Sequence, residues 1–192
     1  ETTLNLQMNG SVSISLPGLG TQTTLKINPS SKNSPPPLDK IQLNGELLAS
    51  DNPFCIRLSG FLDLFRPENH AFDVNTHNTV PTAAGLASSA SGYAALVLAL
   101  NDLHQWQLSP KKLSLLARLG SGSASRSLYS GFAIWHKGQQ EDGLDSYAEA
   151  IETQWPDLCI GLVKVNIHQK PISSTTGMQN TVKTCDLYQA WP

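Results

Sequence analysis

The stretch from Pro81 to Gly92 constrains the fold more than any other part of the sequence. It reads Pro-Thr-Ala-Ala-Gly-Leu-Ala-Ser-Ser-Ala-Ser-Gly and leads into a segment rich in alanine and leucine. This pattern predicts a tight turn of small residues that opens into an apolar helix, which we place at about residues 87–107. The first N–H groups of a helix have no acceptor within it, and the helix dipole is positive there. The sequence therefore predicts a helix N-terminus that binds phosphate.

The same loop lacks the marks of other common phosphate-binding loops. No Gly-Lys-Ser/Thr follows it, as a Walker loop requires, and the Gly-x-Gly-x-x-Gly pattern of dinucleotide sites is missing. The sequence also contains no Gly-x-Ser-x-Gly elbow, and its histidines have no metalloprotease spacing. These observations give little support to a serine hydrolase or a zinc enzyme.

The composition indicates a globular protein in which any anionic ligand must be bound by a few nearby residues and not by a broad positive surface. Hydrophobic residues make up 40% of the 192 residues, which is enough for a core. The net charge of −2 gives no broad basic field, so we predict no nucleic-acid partner and no membrane partner. The longest apolar run, Ala94 to Leu100, is too short to span a bilayer. Three widely spaced cysteines (Cys55, Cys159 and Cys185) give no metal-site spacing and favour a reducing cytoplasm.

Alternation of apolar and polar residues predicts the strands. It runs over 12–16 and again over 23–27 after a turn that contains Pro17 and Gly18, which predicts an antiparallel hairpin. Residues 28–37 hold three consecutive prolines and are predicted to be a surface loop. Further strands are predicted at 40–47, 71–76, 131–135 and 158–165.

Capping residues and helical spacing predict the helices. Asn52 with Pro53, and Ser109 with Pro110, each supply an N-cap and a first-turn proline. These helices are predicted to run to about Phe65 and to Gly120, where glycine commonly ends a helix in the left-handed conformation, and a further helix is predicted near 146–153. Glu141 and Asp142 are predicted to form a solvated turn. Antiparallel strands with helices on one side define an α+β fold.

Two motifs together resemble the GHMP kinases, in the version carried by the diphosphomevalonate decarboxylase family. The first is the loop at 81–92, and the second is Ala117 to Ser127, which reads Ala-Arg-Leu-Gly-Ser-Gly-Ser-Ala-Ser-Arg-Ser. The family's version of the second motif usually reads Gly-Ser-Gly-Ser-Ala-Cys-Arg-Ser. Ser125 takes the place of that cysteine, a change between small residues.

The resemblance implies an ATP site with Mg²⁺. The loop would wrap the triphosphate, Ser88 would help to hold phosphate or Mg²⁺, and Ser89 would orient the transferred γ-phosphoryl group. Thr76 and Asn78 match positions beside the nucleotide, whereas His77 between them is expected to be a solvent or packing residue. The loop residues concerned are Ala84, Gly85, Leu86, Ala87, Ser88 and Ser89. From the residues alone, the serines could instead cap the helix or line a tight contact between helix and sheet, and Ser91 in particular is expected to cap.

The resemblance also implies a substrate site. Arg126 matches the arginine that binds the substrate carboxylate, although an ordinary ion-paired arginine would look the same in sequence. Ser121, Gly122 and Ser123 match the residues that hold the diphosphate, and Ser127 has a weaker claim because a cap would explain it equally well. Residues 173–178 resemble a third loop, in which Ser174 would contact diphosphate and Met178 would pack nearby. Some relatives have arginine in place of Thr175, and a polar surface loop is the alternative for this segment.

The activity that the resemblance implies is ATP-dependent decarboxylation of mevalonate 5-diphosphate to isopentenyl diphosphate in isoprenoid biosynthesis. A kinase that phosphorylates the 3-hydroxyl of mevalonate or a phosphomevalonate without decarboxylation is an alternative, and a non-catalytic ligand-binding paralogue is another. The family also implies a left-handed βαβ unit and a homodimer. Residues 1–175 would form the N-terminal ATP-binding domain, with residues 176–192 beginning a C-terminal domain that carries the aspartate base. This chain alone is therefore expected to bind ligands without turnover.

Overall fold

Within the residues that the structure describes, strands that lie far apart in sequence pair in two β-sheets. The computed structural model describes residues 4–29, 38–79, 88–161, 172 and 174–190. Its strands are β1 (Ser11–Ile14), β2 (Thr21–Pro29), β3 (Lys40–Leu43), β4 (Glu46–Leu47), β5 (His70–Asn78), β6 (Phe132–Trp135) and β7 (Ala148–Ala150). Its helices are α1 (Pro53–Leu62), α2 (Ser88–Leu103), α3 (Pro110–Gly120) and α4 (Ser174–Thr184), with 3₁₀ turns at Gly122–Ser125 and Tyr188–Ala190. The α+β fold class is confirmed.

The hairpin predicted from the two alternating segments near the start of the chain is wrong. β1 pairs with β6 in a three-stranded antiparallel sheet of order β1-β6-β7. β2 pairs instead along its whole length with β5, in a four-stranded sheet of order β2-β5-β3-β4. Alternation reveals that a strand has one buried face, but it carries no information about which strand will pair with it.

β5 is the strand on which the larger sheet is built. It runs antiparallel to β2 and parallel to β3, and α1 lies between β3 and β5 in the chain. This is a βαβ unit, as the family resemblance implies, and its left-handedness stays a prediction. The short hairpin of β3 and β4 accounts for the single strand predicted at 40–47.

Local signals located the starts of the helices well. The Asn52 side chain accepts a hydrogen bond of 2.9 Å from the Phe54 N–H at the start of α1, and Ser109 does the same for Lys112 at the start of α3. α2 ends at Leu103 and not near residue 107, because the backbone turns into the left-handed region at Gln105, with φ of 53°. The predicted first residue of this helix, Ala87, and the predicted loop at 30–37 lie outside the described residues.

Three other predictions are corrected by the structure. The helix predicted near 146–153 is wrong, because Ala148–Ala150 forms β7, whose first N–H donates to the buried Ser114 hydroxyl at 2.7 Å. Residues 174–178, predicted to be a loop, form the first turns of α4. Residues 158–161 are not in a strand, and residues 162–165 of that predicted strand lie outside the described part of the chain. The predicted turn at Glu141 and Asp142 is present and exposed.

The main core lies between the four-stranded sheet and the helices α1, α2 and α3. Apolar side chains from all of these elements meet there, among them Ile41, Leu58, Phe61, Leu62, Phe72, Val74, Leu96, Val97, Leu100, Leu113 and Ala117. Aromatic contacts extend it, since the Phe61 ring lies 5.0 Å from Tyr93 in an edge-to-face arrangement. No helix in the described ranges is both long enough and apolar enough to cross a membrane.

Gly120 permits the closest approach between α2 and α3. A Cβ atom at this position would lie 2.7 Å from Cε1 of Tyr93 and nearer still to Cδ1. Gly120 is the last residue of α3 and does not take the predicted left-handed conformation, because the chain leaves the helix at Ser121 in an extended conformation. This glycine is therefore required by packing, and not by the turn.

An ion pair fixes the chain before β3 to the segment after α1. Arg66 donates to both oxygens of Asp39 at 2.7 Å, and Asp39 also accepts the Phe72 N–H. Burial acts to raise the pKa of Asp39, but the hydrogen bonds from Arg66, Phe72 and Ser59 outweigh it and hold the pKa below its ordinary value. The same pairing raises the pKa of Arg66.

We expect Gly120→Ala to lower the free energy of unfolding by about 1–3 kcal/mol, because the new methyl group must displace the Tyr93 ring. Gly60→Ala is the matched control, since it lies within α1 and a Cβ there meets nothing within 4 Å. That change should stabilise the protein by about 0.5–1 kcal/mol. Urea unfolding of both variants measures the difference, and equal effects would contradict the assigned packing.

Asp39→Asn should destabilise the protein at pH 7 by about 2 kcal/mol. Because the folded-state pKa of Asp39 is depressed, its contribution is present above the unfolded pKa and is lost as the pH falls through the folded value. The difference between variant and parent should therefore shrink below about pH 4. Asp63→Asn, at the exposed partner of Arg66, should cost less than about 1 kcal/mol. Unfolding curves at pH 7 and pH 3 test both statements.

Candidate functional site

The first turn of α2 carries the serines that were predicted to meet phosphate. Ser88 begins the helix and is half-buried, Ser89 is exposed, and no acidic residue lies in this turn. The N–H groups and hydroxyls of a first helical turn that contains no carboxylate suit an anion. The predicted loop residues Ala84, Gly85, Leu86 and Ala87 lie outside the described residues, and their roles stay predictions.

A polar contact fixes this turn to the end of the larger sheet. The Ser91 hydroxyl lies 2.7 Å from that of Thr21 and donates to the Ser88 carbonyl at 3.2 Å. Thr21 in turn donates to the Asn78 side chain at 2.7 Å. Ser91 therefore joins helix to sheet, which is one of the two roles that the residues alone predicted for these serines, and it lies inside α2 and does not cap it.

The positions predicted beside the nucleotide lie at the end of β5. Thr76 is 7% exposed, and its hydroxyl lies 3.0 Å from that of Thr23 on the paired strand. Asn78 is half-buried, and its N–H donates to the Asn44 side chain at 2.8 Å. His77 between them points outward and is exposed, as predicted. Contact of Thr76 and Asn78 with a nucleotide stays a prediction.

The serine-rich turn after α3 is the second part of the site, and it packs against α2. Ser121 is extended, Gly122–Ser125 forms a 3₁₀ turn, and the hydroxyls of Ser121 and Ser123 lie 3.4 Å apart. The fully buried Ser125 hydroxyl donates to the Gly122 carbonyl at 2.8 Å and holds the turn closed. Gly122 is needed here, because a Cβ would lie 2.8 Å from the Trp135 ring.

Arg126 follows this turn and is half-buried. Its guanidinium carbon lies 5.5 Å from the centre of the Trp135 ring, and its Nη1 donates to the Ser11 hydroxyl at 2.5 Å. Its Nε is buried without a hydrogen-bond partner, and none of the ion pairs among the described residues involves it. Burial lowers the pKa of Arg126, yet a guanidinium remains charged at neutral pH. This is a cation that an incoming anion would stabilise.

A second arginine eight positions earlier in the sequence serves the fold. Arg118 is 2% exposed, and its Nη1 donates to the carbonyls of Gly143 and Ser146 at 2.8 and 2.7 Å. Burial lowers its pKa, and the nearby Asp145 opposes that effect. Arg118 therefore holds the 143–146 segment in place, which leaves Arg126 as the arginine available to a ligand.

Sequence reasoning missed several residues that support the site. The Asn5 side chain donates to the carbonyls of Arg118 and Leu119 at the end of α3, at 3.0 and 3.1 Å. Ser11 and Trp135 contact Arg126, and Gln7 contacts both Ser11 and Trp135. The hydrogen bonds from Asn5 to α3, from Arg126 to Ser11 and from Gln7 to Trp135 each join residues more than 100 positions apart, and no local pattern marks such contacts.

The remaining predicted residues lie on α4. Met178 is 63% exposed, and Ser174 is the first residue of that helix. Their proposed contacts with substrate stay predictions. Helix α4 also spans the predicted domain boundary between residues 175 and 176, and that boundary stays a prediction as well.

Comparison with known proteins identifies the family. A model of the diphosphomevalonate decarboxylase-like N-terminal domain matches residues 1–148. The diphosphomevalonate decarboxylase of Saccharomyces cerevisiae is 38% identical over 204 residues, which cover 98% of this chain and 50% of the yeast protein. This chain thus spans about half the length of the curated relatives that it matches.

Solved structures give the same result. Mevalonate diphosphate decarboxylase from Staphylococcus aureus superimposes with a TM-score of 0.81 at 37% identity, over 100% of this chain and 56% of that one. The enzyme from Enterococcus faecalis, whose ATP binding is mediated by mevalonate diphosphate, gives a TM-score of 0.76 at 38% identity, over 97% and 55% of the two chains. The chain belongs to the diphosphomevalonate decarboxylase-like family and matches its N-terminal domain.

Ser125→Ala should lower the free energy of unfolding by about 1 kcal/mol, because it removes the hydrogen bond from the buried Ser125 hydroxyl to the Gly122 carbonyl. Ser127→Ala, at an exposed position on the same turn, should change stability by less than about 0.5 kcal/mol. Chemical denaturation of both variants tests this, and a neutral Ser125→Ala would contradict the role given to the hydroxyl.

Proposed function

We propose that this chain is the N-terminal, ATP-binding part of a diphosphomevalonate decarboxylase. The reaction would use ATP to phosphorylate the tertiary 3-hydroxyl of mevalonate 5-diphosphate, which releases ADP, and loss of phosphate and CO₂ from the phosphorylated intermediate would then give isopentenyl diphosphate. The observation that carries the proposal is Arg126, a half-buried guanidinium with no acidic partner in the described ranges, beside the serine-rich turn.

The chemistry explains why such an arginine is needed. When phosphate leaves the tertiary carbon, its C–O bond electrons leave with it, and the carbon becomes electron-poor. The electrons of the bond to the carboxylate then enter the new double bond, and CO₂ is released. A guanidinium that binds the carboxylate in a two-pronged way would hold that bond in the orientation from which its electrons can move. Arg126 is proposed for this role.

The nucleotide would lie at the start of α2. Ser89 would orient the γ-phosphoryl group, and Ser88 would hold phosphate or Mg²⁺, whose charge would offset that of the phosphates. The first turn of α2 fits a polyphosphate, because it presents hydroxyls and N–H groups with no carboxylate among them. Thr76, Asn78 and the loop residues Ala84 to Ala87 would complete the nucleotide site.

The diphosphate of the substrate would bind to the serine-rich turn. Ser121 and Ser123 would donate their hydroxyls, and Gly122 would let the backbone approach. The close pair of hydroxyls, 3.4 Å apart, supports this role because both can donate to one phosphate group. Ser174 and Met178 on α4 would contribute from the other side.

The rest of the proposal concerns the whole protein. The base that accepts the proton of the 3-hydroxyl is expected to be an aspartate outside these 192 residues, in a C-terminal domain that begins at residue 176. We also propose a homodimer located in the cytoplasm.

The test is to incubate the full-length protein with ATP, Mg²⁺ and (R)-mevalonate 5-diphosphate and to follow ADP, CO₂ and isopentenyl diphosphate together. Equal amounts of the three products are expected. ADP with a stable phosphorylated product would instead indicate a kinase, and no product would indicate a ligand-binding protein.

Arg126→Lys in the same protein should lower kcat/KM for mevalonate 5-diphosphate by about 10- to 100-fold, because lysine keeps the charge but loses the two-pronged contact. Arg57→Lys, at an exposed position on α1, is the matched control and should leave kcat/KM within about twofold. An unchanged rate for Arg126→Lys would remove Arg126 from the proposed site.

A further inference from the structure

Three hydrogen bonds in series connect Arg126 to the backbone of β6. Nη1 of Arg126 donates to the Ser11 hydroxyl at 2.5 Å, and that hydroxyl donates to Oε1 of Gln7 at 2.9 Å. Nε2 of Gln7 then donates to the Trp135 carbonyl at 2.7 Å. We call these contacts the Gln7–Ser11 relay.

The relay can be oriented in one direction only. A carbonyl oxygen only accepts, so the Gln7 amide must direct its NH₂ group toward Trp135 and its oxygen toward Ser11. That oxygen also only accepts, so the single proton of the Ser11 hydroxyl is committed to Gln7. The lone pairs of Ser11 are then free to accept from Arg126, and a guanidinium can only donate. Each link thus determines the orientation of the next.

The Trp135 ring holds the same guanidinium from a second direction. The ring lies 5.5 Å from the guanidinium carbon, and it is 6% exposed. Its Nε1 donates to the Ser146 hydroxyl at 3.1 Å, so the ring is itself fixed. Trp135 therefore helps to hold Arg126 in two ways. Its ring lies against the guanidinium, and its carbonyl accepts the last hydrogen bond of the relay.

We propose that Gln7 and Ser11 are positioning residues that set the orientation of the Arg126 guanidinium toward the substrate carboxylate. The inference rests on the proposed function, in which Arg126 binds that carboxylate. A flexible arginine side chain has many conformations, and fixing one of them before binding lowers the entropy lost on binding. Without the relay, Nη1 would lose its acceptor and the guanidinium would be held by the ring alone.

The first experiment measures steady-state kinetics of the full-length protein and its Gln7→Leu and Ser11→Ala variants. Each variant should lower kcat/KM for mevalonate 5-diphosphate by about 10-fold. KM for ATP should not change, since no nucleotide contact is altered. Because the two residues act in series, the double variant should lose no more than Ser11→Ala alone.

Two further variants separate positioning from general damage. Ser11→Thr keeps the hydroxyl and suits a strand, so it should retain most of the activity. Ser13→Ala is the matched control, since Ser13 is a half-buried serine two positions further along β1 whose side chain has no hydrogen bond within the described ranges. It should stay within twofold of the parent.

A readout independent of activity is the Nε–Hε NMR resonance of Arg126, assigned by its loss in Arg126→Lys. The ring current of Trp135 should displace it in the parent, and in Gln7→Leu and Ser11→Ala it should move by more than its linewidth. If the parent makes product and both variants match it in kcat/KM, the relay has no positioning role and the proposed function stands. If the parent makes no product, the proposed function fails, and an unmoved resonance would overturn the relay as well.

Discussion

The contact between the Tyr93 ring and Gly120 is the constraint on which the arrangement of this domain depends. It brings α2 and α3 together at the place where one helix has just begun and the other has just ended. The start of α2, where we propose that phosphate binds, and the serine-rich turn after α3 are thereby held on neighbouring parts of the molecule. Phe61 packs on the other side of Tyr93, so the contact is also part of the main core. The Tyr93 side chain thus contributes both to the stability of the core and to the relative positions of α2 and α3.

Two arginines close in sequence differ in how far hydrogen bonds within the protein compensate their charge. Both are desolvated and both have an unpartnered Nε. Arg118 places one nitrogen against two backbone carbonyls and is enclosed by the protein, so its charge is already compensated by dipoles. Arg126 has one hydroxyl and an aromatic ring instead, which are weaker partners for a cation. A carboxylate or phosphate would therefore gain more from Arg126 than from Arg118.

The parts of this structure that the sequence could predict are those decided by neighbouring residues. The caps at Asn52 and Ser109 and the strand that became β5 depend on contacts within a few positions, and they were identified correctly. The pairing of β1 with β6 and the strand β7 depend on distant partners such as Ser114, and there the predictions failed. The motif residues Ser121 to Arg126 were found because they resemble a family, whereas Gln7, Ser11 and Trp135 act through long-range hydrogen bonds that no local pattern encodes.

The register between β1 and β6 has a consequence for chemistry. Ser11 lies opposite Trp135, and Val12 lies opposite Ile134. Because side chains alternate between the two faces of a sheet, a slip of one residue would turn Ser11 away and present an aliphatic side chain to the guanidinium. The register of the small three-stranded sheet therefore determines whether the Arg126 guanidinium contacts a hydroxyl group or an aliphatic side chain.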